Sequence, residues 1–232
     1  MDRGAMEQLI INNIPIEIKR KKIKNMYLKI LPPDGRVYIS APLRMSVEEI
    51  GRFIQLKYDW IRKQQEKIQK RPGQKELEYI SGEEVFVWGK KYTLKVLPTD
   101  KNVGVTLLGS ELLLFIKPDT TIEKRARILN QWYKQVLQEA IPELIEKWEK
   151  IIGVKSSTFV IRDMKTRWGS CNIRTGKICL NLKLVNKRPI CLEYVIVHEL
   201  VHLLEASHNH VFKGYMDQFL PNWRVIKKEL NN

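Results

Sequence analysis

The sequence predicts an α+β protein: a β-rich N-terminal part with one helix, followed by a helical part built around an H-E-x-x-H helix. Three observations carry this reading. Short alternating apolar runs separated by turn residues fill the first half, 3.6-period stripes dominate from Thr121, and all four histidines fall between His198 and His210. A soft boundary near Pro118 divides the chain into residues 1–118, β-rich, and 119–232, which carry the histidines.

Ile14, Ile16 and Ile18 alternate along one strand, Met26, Leu28 and Ile30 along another, and Val37 and Ile39 follow the Asp34-Gly35 turn. Ser46 with Glu49 three places later forms a capping box. It opens one helix carrying Ile50, Phe53, Ile54, Trp60 and Ile61, which Pro72-Gly73 ends. Short strands surround Val85 to Val87, Tyr92 to Val96, Val103 to Leu107 and Leu112 to Ile116. A long helix then runs through Ile128, Leu129, Trp132, Tyr133 and Val136, with Pro142 expected to kink or restart it and Gly153 to stop it. Ile178, Leu180 and Leu182 alternate on one face of a strand, which turns Asn181 the other way. Pro189 suits the first turn of the next helix, packed by Tyr194, Val195, Val197, Val201 and Leu204. Phe212, Tyr215, Met216 and Phe219 make a final core stripe. No internal repeat is apparent.

Composition narrows the function classes. Apolar residues make up 44% of the 232, ordinary for a globular protein, and no apolar run approaches the roughly 20 residues that span a bilayer. The opening Met1-Asp2-Arg3-Gly4-Ala5 is too polar for a signal peptide. Cys171, Cys179 and Cys191 are an odd number without a C-x-x-C pair, which points to a reducing cytoplasm rather than a disulfide scaffold. A net charge of +15, with a run at Lys19, Arg20, Lys21, Lys22 and Lys24, permits nucleic-acid association. A solvated surface of scattered lysines explains the same charge, and no nucleic-acid-binding motif appears.

The histidines carry the chemistry. Residues four apart on an α-helix share a face and lie about 6 Å apart along the axis, so His198 and His202 can close on one metal ion. Glu199 projects beside them, within reach of a metal-bound water as general base. A catalytic zinc usually takes three protein ligands. His208 is the preferred third, because six residues leave room to exit the helix at Ala206-Ser207 and turn back; His210 is the competitor. Ligating imidazoles must be neutral, so metal should be lost below about pH 5.5 to 6.

The run Arg167-Trp168-Gly169-Ser170-Cys171 is unusual for a connector. Gly169 allows close approach of backbone or ligand, and Arg167 offers a planar fork for a substrate or transition-state oxygen. Equally, Trp168 can be core and Arg167 can pair with a structural acid. Asn181 can contact substrate or face solvent.

The order of R-W-G-S-C at 167–171, I-C-L-N-L at 178–182 and H-E-L-V-H at 198–202 resembles the YgjP-like metallopeptidase family, a soluble zincin-type group related to the SprT-like and WLM proteases. The resemblance implies a zincin-like metallohydrolase domain over 119–232, with residues 1–118 capturing substrate or framing the cleft. It implies His208 as third ligand, six residues after His202, and matches Phe212 to a phenylalanine four residues further on. Trp60 and the 87–92 hairpin fit the family more loosely, and Lys213 stands where it usually has an aromatic. The implied function is a Zn2+-dependent metallopeptidase acting on polypeptides. Two rivals remain: a metal-dependent nucleotide or phosphoanhydride hydrolase on the same site, and a zinc-stabilised nucleic-acid-binding module. The SprT-like relatives act on proteins attached to DNA, which raises DNA association only by analogy.

Overall fold

Asn12 and Asn13, at φ 50° and 62°, form the left-handed pair that a two-residue hairpin turn requires. They join β1 (Met6–Ile11) to β2 (Ile14–Lys21), and β1 is a strand the hydrophobic pattern alone does not reveal. The computed structural model describes residues 6–31, 34–70 and 77–231. It is α+β and divides into two compact units, Met1–Leu77 and Glu78–Asn232.

In the first unit β3 (Tyr27–Leu31) and β4 (Arg36–Pro42) complete a sheet of order β1-β2-β4-β3, with β2 and β4 parallel and the outer pairs antiparallel. The alternating residues Ile14, Ile16, Ile18, Val37, Ile39 and Ala41 bury one face against Ile50, Ile54 and Ile61. Those isoleucines come from two helices, not the single one expected: α1 (Val47–Leu56) and α2 (Tyr58–Lys70). Lys57 between them sits in the bridge region (φ −103°, ψ 5°), and its N–H is shared by the Phe53 and Ile54 carbonyls. Side-chain periodicity carries no trace of such a backbone adjustment. The Ser46 capping box is present, whereas Pro72-Gly73 lie outside the described residues.

The second unit begins with β5 (Glu84–Val87), β6 (Lys90–Pro98), β7 (Gly104–Leu108) and β8 (Glu111–Ile116), in the order β5-β6-β8-β7. Order and strand sense repeat those of the first sheet. Core positions Val37, Ile39 and Ala41 correspond to Leu112, Leu114 and Ile116, and the helix caps Ser46 and Thr121 correspond likewise, each pair 75 positions apart. The fold therefore contains a repeat that sequence identity conceals, because only burial and capping are kept.

α3 (Ile122–Ile152) opens on the Thr121 cap and ends at Gly153, whose φ of 78° is the left-handed conformation of a helix stop. It runs through Pro142 without restarting. Proline forfeits one main-chain hydrogen bond, but the buried stripe Leu137, Ile141 and Ile145 continues on both sides and holds the helix in register. A three-stranded sheet follows, in the order β10 (Gly169–Asn172), β11 (Lys177–Asn181), β9 (Thr158–Arg162). A 3-10 helix at Leu182–Asn186 leads into α4 (Pro189–Val201), and α5 (His210–Phe219) and α6 (Trp223–Leu230) close the chain.

The Trp88-Gly89 turn (φ 51° and 75°) docks where α4 begins: Trp88 N–H donates to Val185 O at 2.6 Å, and a Cβ on Gly89 would lie 2.6 Å from Arg188 Cγ. Glu193 on α4 accepts from Trp148 Nε1 (2.9 Å) and Lys147 Nζ (2.7 Å) of α3. The boundary expected near Pro118 marks the change from strands to helix, whereas compactness divides the chain at Leu77/Glu78 and groups the second four-stranded sheet with the helices. Among the described residues no helix is long and apolar enough to cross a membrane.

Glu149, only 6% exposed, clamps the turn from α3 to β9. Its carboxylate accepts from Lys155 Nζ (2.6 Å), Ser156 N (2.7 Å) and Ser156 Oγ (2.6 Å). Burial pushes this carboxyl up, but those bonds together outweigh it and hold it below the usual range. A depressed folded-state pKa contributes stability above the unfolded-state value, and that stability is lost as pH falls through the folded-state value. Glu149→Gln is therefore expected to destabilise the fold by about 1–3 kcal/mol at pH 7. In urea titrations at successive pH values, the difference should shrink as the carboxylate range is crossed downward.

Candidate metal centre

α4 is buried on nearly all sides, which fixes the direction of the few polar side chains it carries. His198 lies in its last turn and His202 is its C-cap. The helix thus ends before the Ala206-Ser207 exit expected from sequence. His202 Nδ1 faces Glu205 O at 3.1 Å, and Ser207 N–H donates to Glu205 Oε1 at 3.0 Å. This compact turn brings His208 back over the helix. Asn209 then caps α5, its Oδ1 accepting from Phe212 N–H at 3.1 Å.

The three Nε2 atoms converge. His208 Nε2 lies 2.9 Å from His198 Nε2 and 3.1 Å from His202 Nε2. A buried Phe212 ring backs all three imidazoles, with centroids 4.9, 4.7 and 4.8 Å away. His210 is exposed as the first residue of α5 and does not join the cluster.

The donor set fits a metal. A carbonyl only accepts, so His202 Nδ1 carries the proton toward Glu205 O and its Nε2 presents a lone pair to the centre. Three imidazole nitrogens facing one another cannot all satisfy themselves with protons, whereas one cation satisfies them together. Tetrahedral zinc with bonds of 2.0–2.1 Å sets its donors about 3.3 Å apart, close to the separations seen. His198, His202 and His208 can thus hold a metal ion. Burial, with the neighbouring His202 and His208, lowers His198 to about 3, and His208 is lowered as well.

Glu199 is 4% exposed, and no described residue donates a hydrogen bond to it. Burial raises its carboxyl to about 8, opposed by the nearby Arg167 guanidinium. β10 crosses directly above: a Cβ on Gly169 would lie 2.5 Å from Glu199 Oε1 and 2.8 Å from Val195 Cγ1. The close approach expected at Gly169 is thus an approach to Glu199. A cleft of about 730 Å³ opens over these groups, walled by Arg167, Trp168, Tyr194, Lys213 and Lys227 among others. Tyr194, overlooked in the sequence except as packing, has its hydroxyl pushed up to about 12 by burial and by Glu199. Its spacing four residues before His198 was the available signal.

Arg167 is exposed at the cleft rim, and no described carboxylate pairs with it. Asn181 is neither solvent-facing nor a cleft residue. It is 3% exposed, its Nδ2 donates to Met164 O (2.8 Å) and Arg167 O (2.6 Å), and its Oδ1 accepts from Lys183 N–H (3.1 Å). With its amide committed to main chain, it staples the loop that carries Arg167. Strand alternation gave the side of the sheet correctly but could not reveal that this loop covers it.

Gly169→Ala should force β10 away from α4. The expected loss of stability is about 1–3 kcal/mol, read as a lower melting temperature, with the three-histidine cluster still able to take up metal.

The family profile for the YgjP-like metallopeptidase domain matches residues 24–232. Among solved structures, the chain is similar to the metallopeptidase zymogen abylysin of Pyrococcus abyssi, at 22% identity over 38% of this chain and 89% of that one, with a TM-score of 0.36. It is also similar to the zymogen jannalysin of Methanocaldococcus jannaschii, at 23% identity over 38% and 90%, with a TM-score of 0.34. Among curated proteins none matches. The histidine cluster, the cleft and a profile match running from residue 24 to the last residue lead to one conclusion: the chain belongs to the YgjP-like metallopeptidase family.

Proposed function

We propose that the protein is a zinc-dependent metallopeptidase in which His198, His202 and His208 hold the ion and Glu199 is the general base. The observation that carries this reading is the convergence of three Nε2 atoms beside a buried carboxyl that has no hydrogen-bond donor among the described residues. When bound, zinc supplies a Lewis acid that polarises a carbonyl and brings the pKa of water near 7.

The chain's own groups do the rest. Burial alone keeps the Glu199 carboxyl protonated near neutrality, while Arg167 opposes that burial, as would a cation held by the three neutral histidines. A carboxyl balanced in this way can accept a proton at Oε1 and return it to the departing amine. Gly169, having no side chain, lets β10 pass beside the carboxyl without displacing it from the cleft. The Tyr194 hydroxyl stays protonated and can donate to an oxygen that gains charge. Arg167, free of a structural acid among the described residues, can orient a substrate carbonyl or carboxylate.

A polypeptide suits the cleft better than a nucleotide because β10 is an edge strand. Asn181 N–H donates to Trp168 O at 2.9 Å. The alternation of an antiparallel ladder then turns the N–H and C=O of Gly169 and Cys171 outward, where an extended peptide can pair with them. Cys171, Cys179 and Cys191 are all free, which supports a reducing compartment such as the cytoplasm.

Zinc-loaded wild type and Glu199→Gln should be compared on an unfolded protein, with and without DNA, and on nucleoside triphosphates. New peptide termini from wild type, reduced about 10²–10⁴-fold in the variant, are expected. Phosphate release without new termini would overturn the peptidase reading in favour of the nucleotide hydrolase. His208→Ala should lower zinc affinity at least about tenfold, read by chelator competition; unchanged affinity would remove His208 from the ligand set.

A further inference from the structure

The side of the β9-β11-β10 sheet turned away from α4 carries a second open groove, also of about 730 Å³, that shares β10 with the cleft. Gly169 lies against Glu199, so strand alternation puts Ser170 and Asn172 on the opposite side. Val160 and Cys179, paired in register on β9 and β11, form the floor. Arg162, Arg167, Arg174 and Lys177 surround it, and no described lining residue is acidic.

All four cations are exposed, and none makes an ion pair among the described residues. Elsewhere the chain readily pairs its charges, as in Arg20 with Glu7, Lys91 with Glu84 and Arg188 with Glu229. Even the neighbouring Asp163 is turned to Lys183, at 3.8 Å. The turn that presents Arg174 and Lys177 is well fixed. Asn172 Oδ1 accepts from Arg174 N–H (3.1 Å) and Thr175 N–H (3.2 Å), Asn172 O accepts from Gly176 N–H (2.8 Å), and Gly176 has a φ of 66°.

We infer that this groove is a specificity subsite for acidic side chains of the polypeptide substrate, an inference that rests on the peptidase reading above. A peptide paired to the edge of β10 points successive side chains to opposite sides of the sheet. Those level with Gly169 and Cys171 face the cleft, and those level with Ser170 and Asn172 face the groove. Aspartate or glutamate at the latter positions meets Arg162, Arg174 and Lys177, with Arg167 at the border shared with the cleft. Among the described residues the groove lining contains no aromatic ring, so it lacks the stacking platform that single-stranded nucleic acids use.

The test uses zinc-loaded, full-length Glu199→Gln protein and three fluorescent probes: a decapeptide with aspartate at alternate positions, its asparagine counterpart, and a single-stranded oligonucleotide of equal charge. The aspartate peptide is expected to bind about tenfold tighter than the asparagine one near physiological salt. Adding Arg162→Ser, Arg174→Ser and Lys177→Ser should abolish that preference while leaving the asparagine peptide unaffected. In a second variant, Arg174→Glu with Lys177→Glu should shift preference to a lysine-bearing peptide, which loss of folding cannot imitate. Equal binding of the two peptides, absence of binding by both, or a preference that survives the serine substitutions would overturn the subsite. Tighter binding of the oligonucleotide, lost on the same substitutions, would overturn it in favour of nucleic acid. Cleavage by the active enzyme separates the two levels. Cutting of both peptides at equal rates removes the subsite and leaves the peptidase, whereas preferential binding with no cleavage of either removes the peptidase and leaves an acidic-peptide groove.

Discussion

The burial of one carboxyl group, that of Glu199, organises the unit that carries the histidine cluster. An ionisable group taken out of water without partners strongly disfavours its charged form. Here the enclosure is built by α4, which is apolar on nearly every side, and by β10, which passes so close that only glycine fits at position 169. The same chain buries a second carboxyl, Glu149, with the opposite result. Three hydrogen bonds hold Glu149 below the usual carboxylate range, whereas Glu199 receives none from the described residues and rises to about 8. The comparison separates a structural clamp from a group left responsive to whatever charge arrives beside it.

The histidine cluster depends on a different economy of parts. His198 and His202 need only helix geometry, but His208 needs the turn stabilised by Glu205 and the start of α5 set by Asn209. Phe212 gives the three rings a common apolar backing, so their orientation is fixed by packing as well as by main-chain contacts. A centre assembled from one helix and its immediate return loop is contiguous in sequence, and this is why the motif is recognisable at all. The cleft around it is not contiguous. Its walls come from β10, the loop before it, α4, α5 and α6, joined only by folding.

Topology then determines what the cleft can meet. In the order β10-β11-β9 the strand over Glu199 is at the sheet's edge, so its main-chain groups remain available to an extended ligand. The two larger sheets show another effect of topology. Each repeats a pair of hairpins joined through a parallel central pair and followed by a capped helix, and the repeat survives in buried positions rather than residue identities. Apolar side chains of similar volume exchange freely in a core, so such a repeat fades from the sequence while its architecture persists.

Much was legible in the sequence. Alternation located most strands, Ser46 and Thr121 marked helix starts, Gly153 marked a stop, and the spacing of His198 and His202 marked a helix able to contribute to a metal site, because each of these signals is local. The hairpin at Asn12-Asn13 was locally encoded too, in residues tolerant of positive φ, and went unread. Tertiary structure alone decided the rest. The break at Lys57 and the continuity through Pro142 reflect how neighbouring surfaces pack, which no local pattern contains. Asn181 became a buried staple because a loop folds over it, and Glu199 acquired its raised pKa because folding buries it, with a strand from thirty residues earlier in the chain packed against it. Spacing along the chain sets which side chains share a face; only the fold sets what each of them is shielded from.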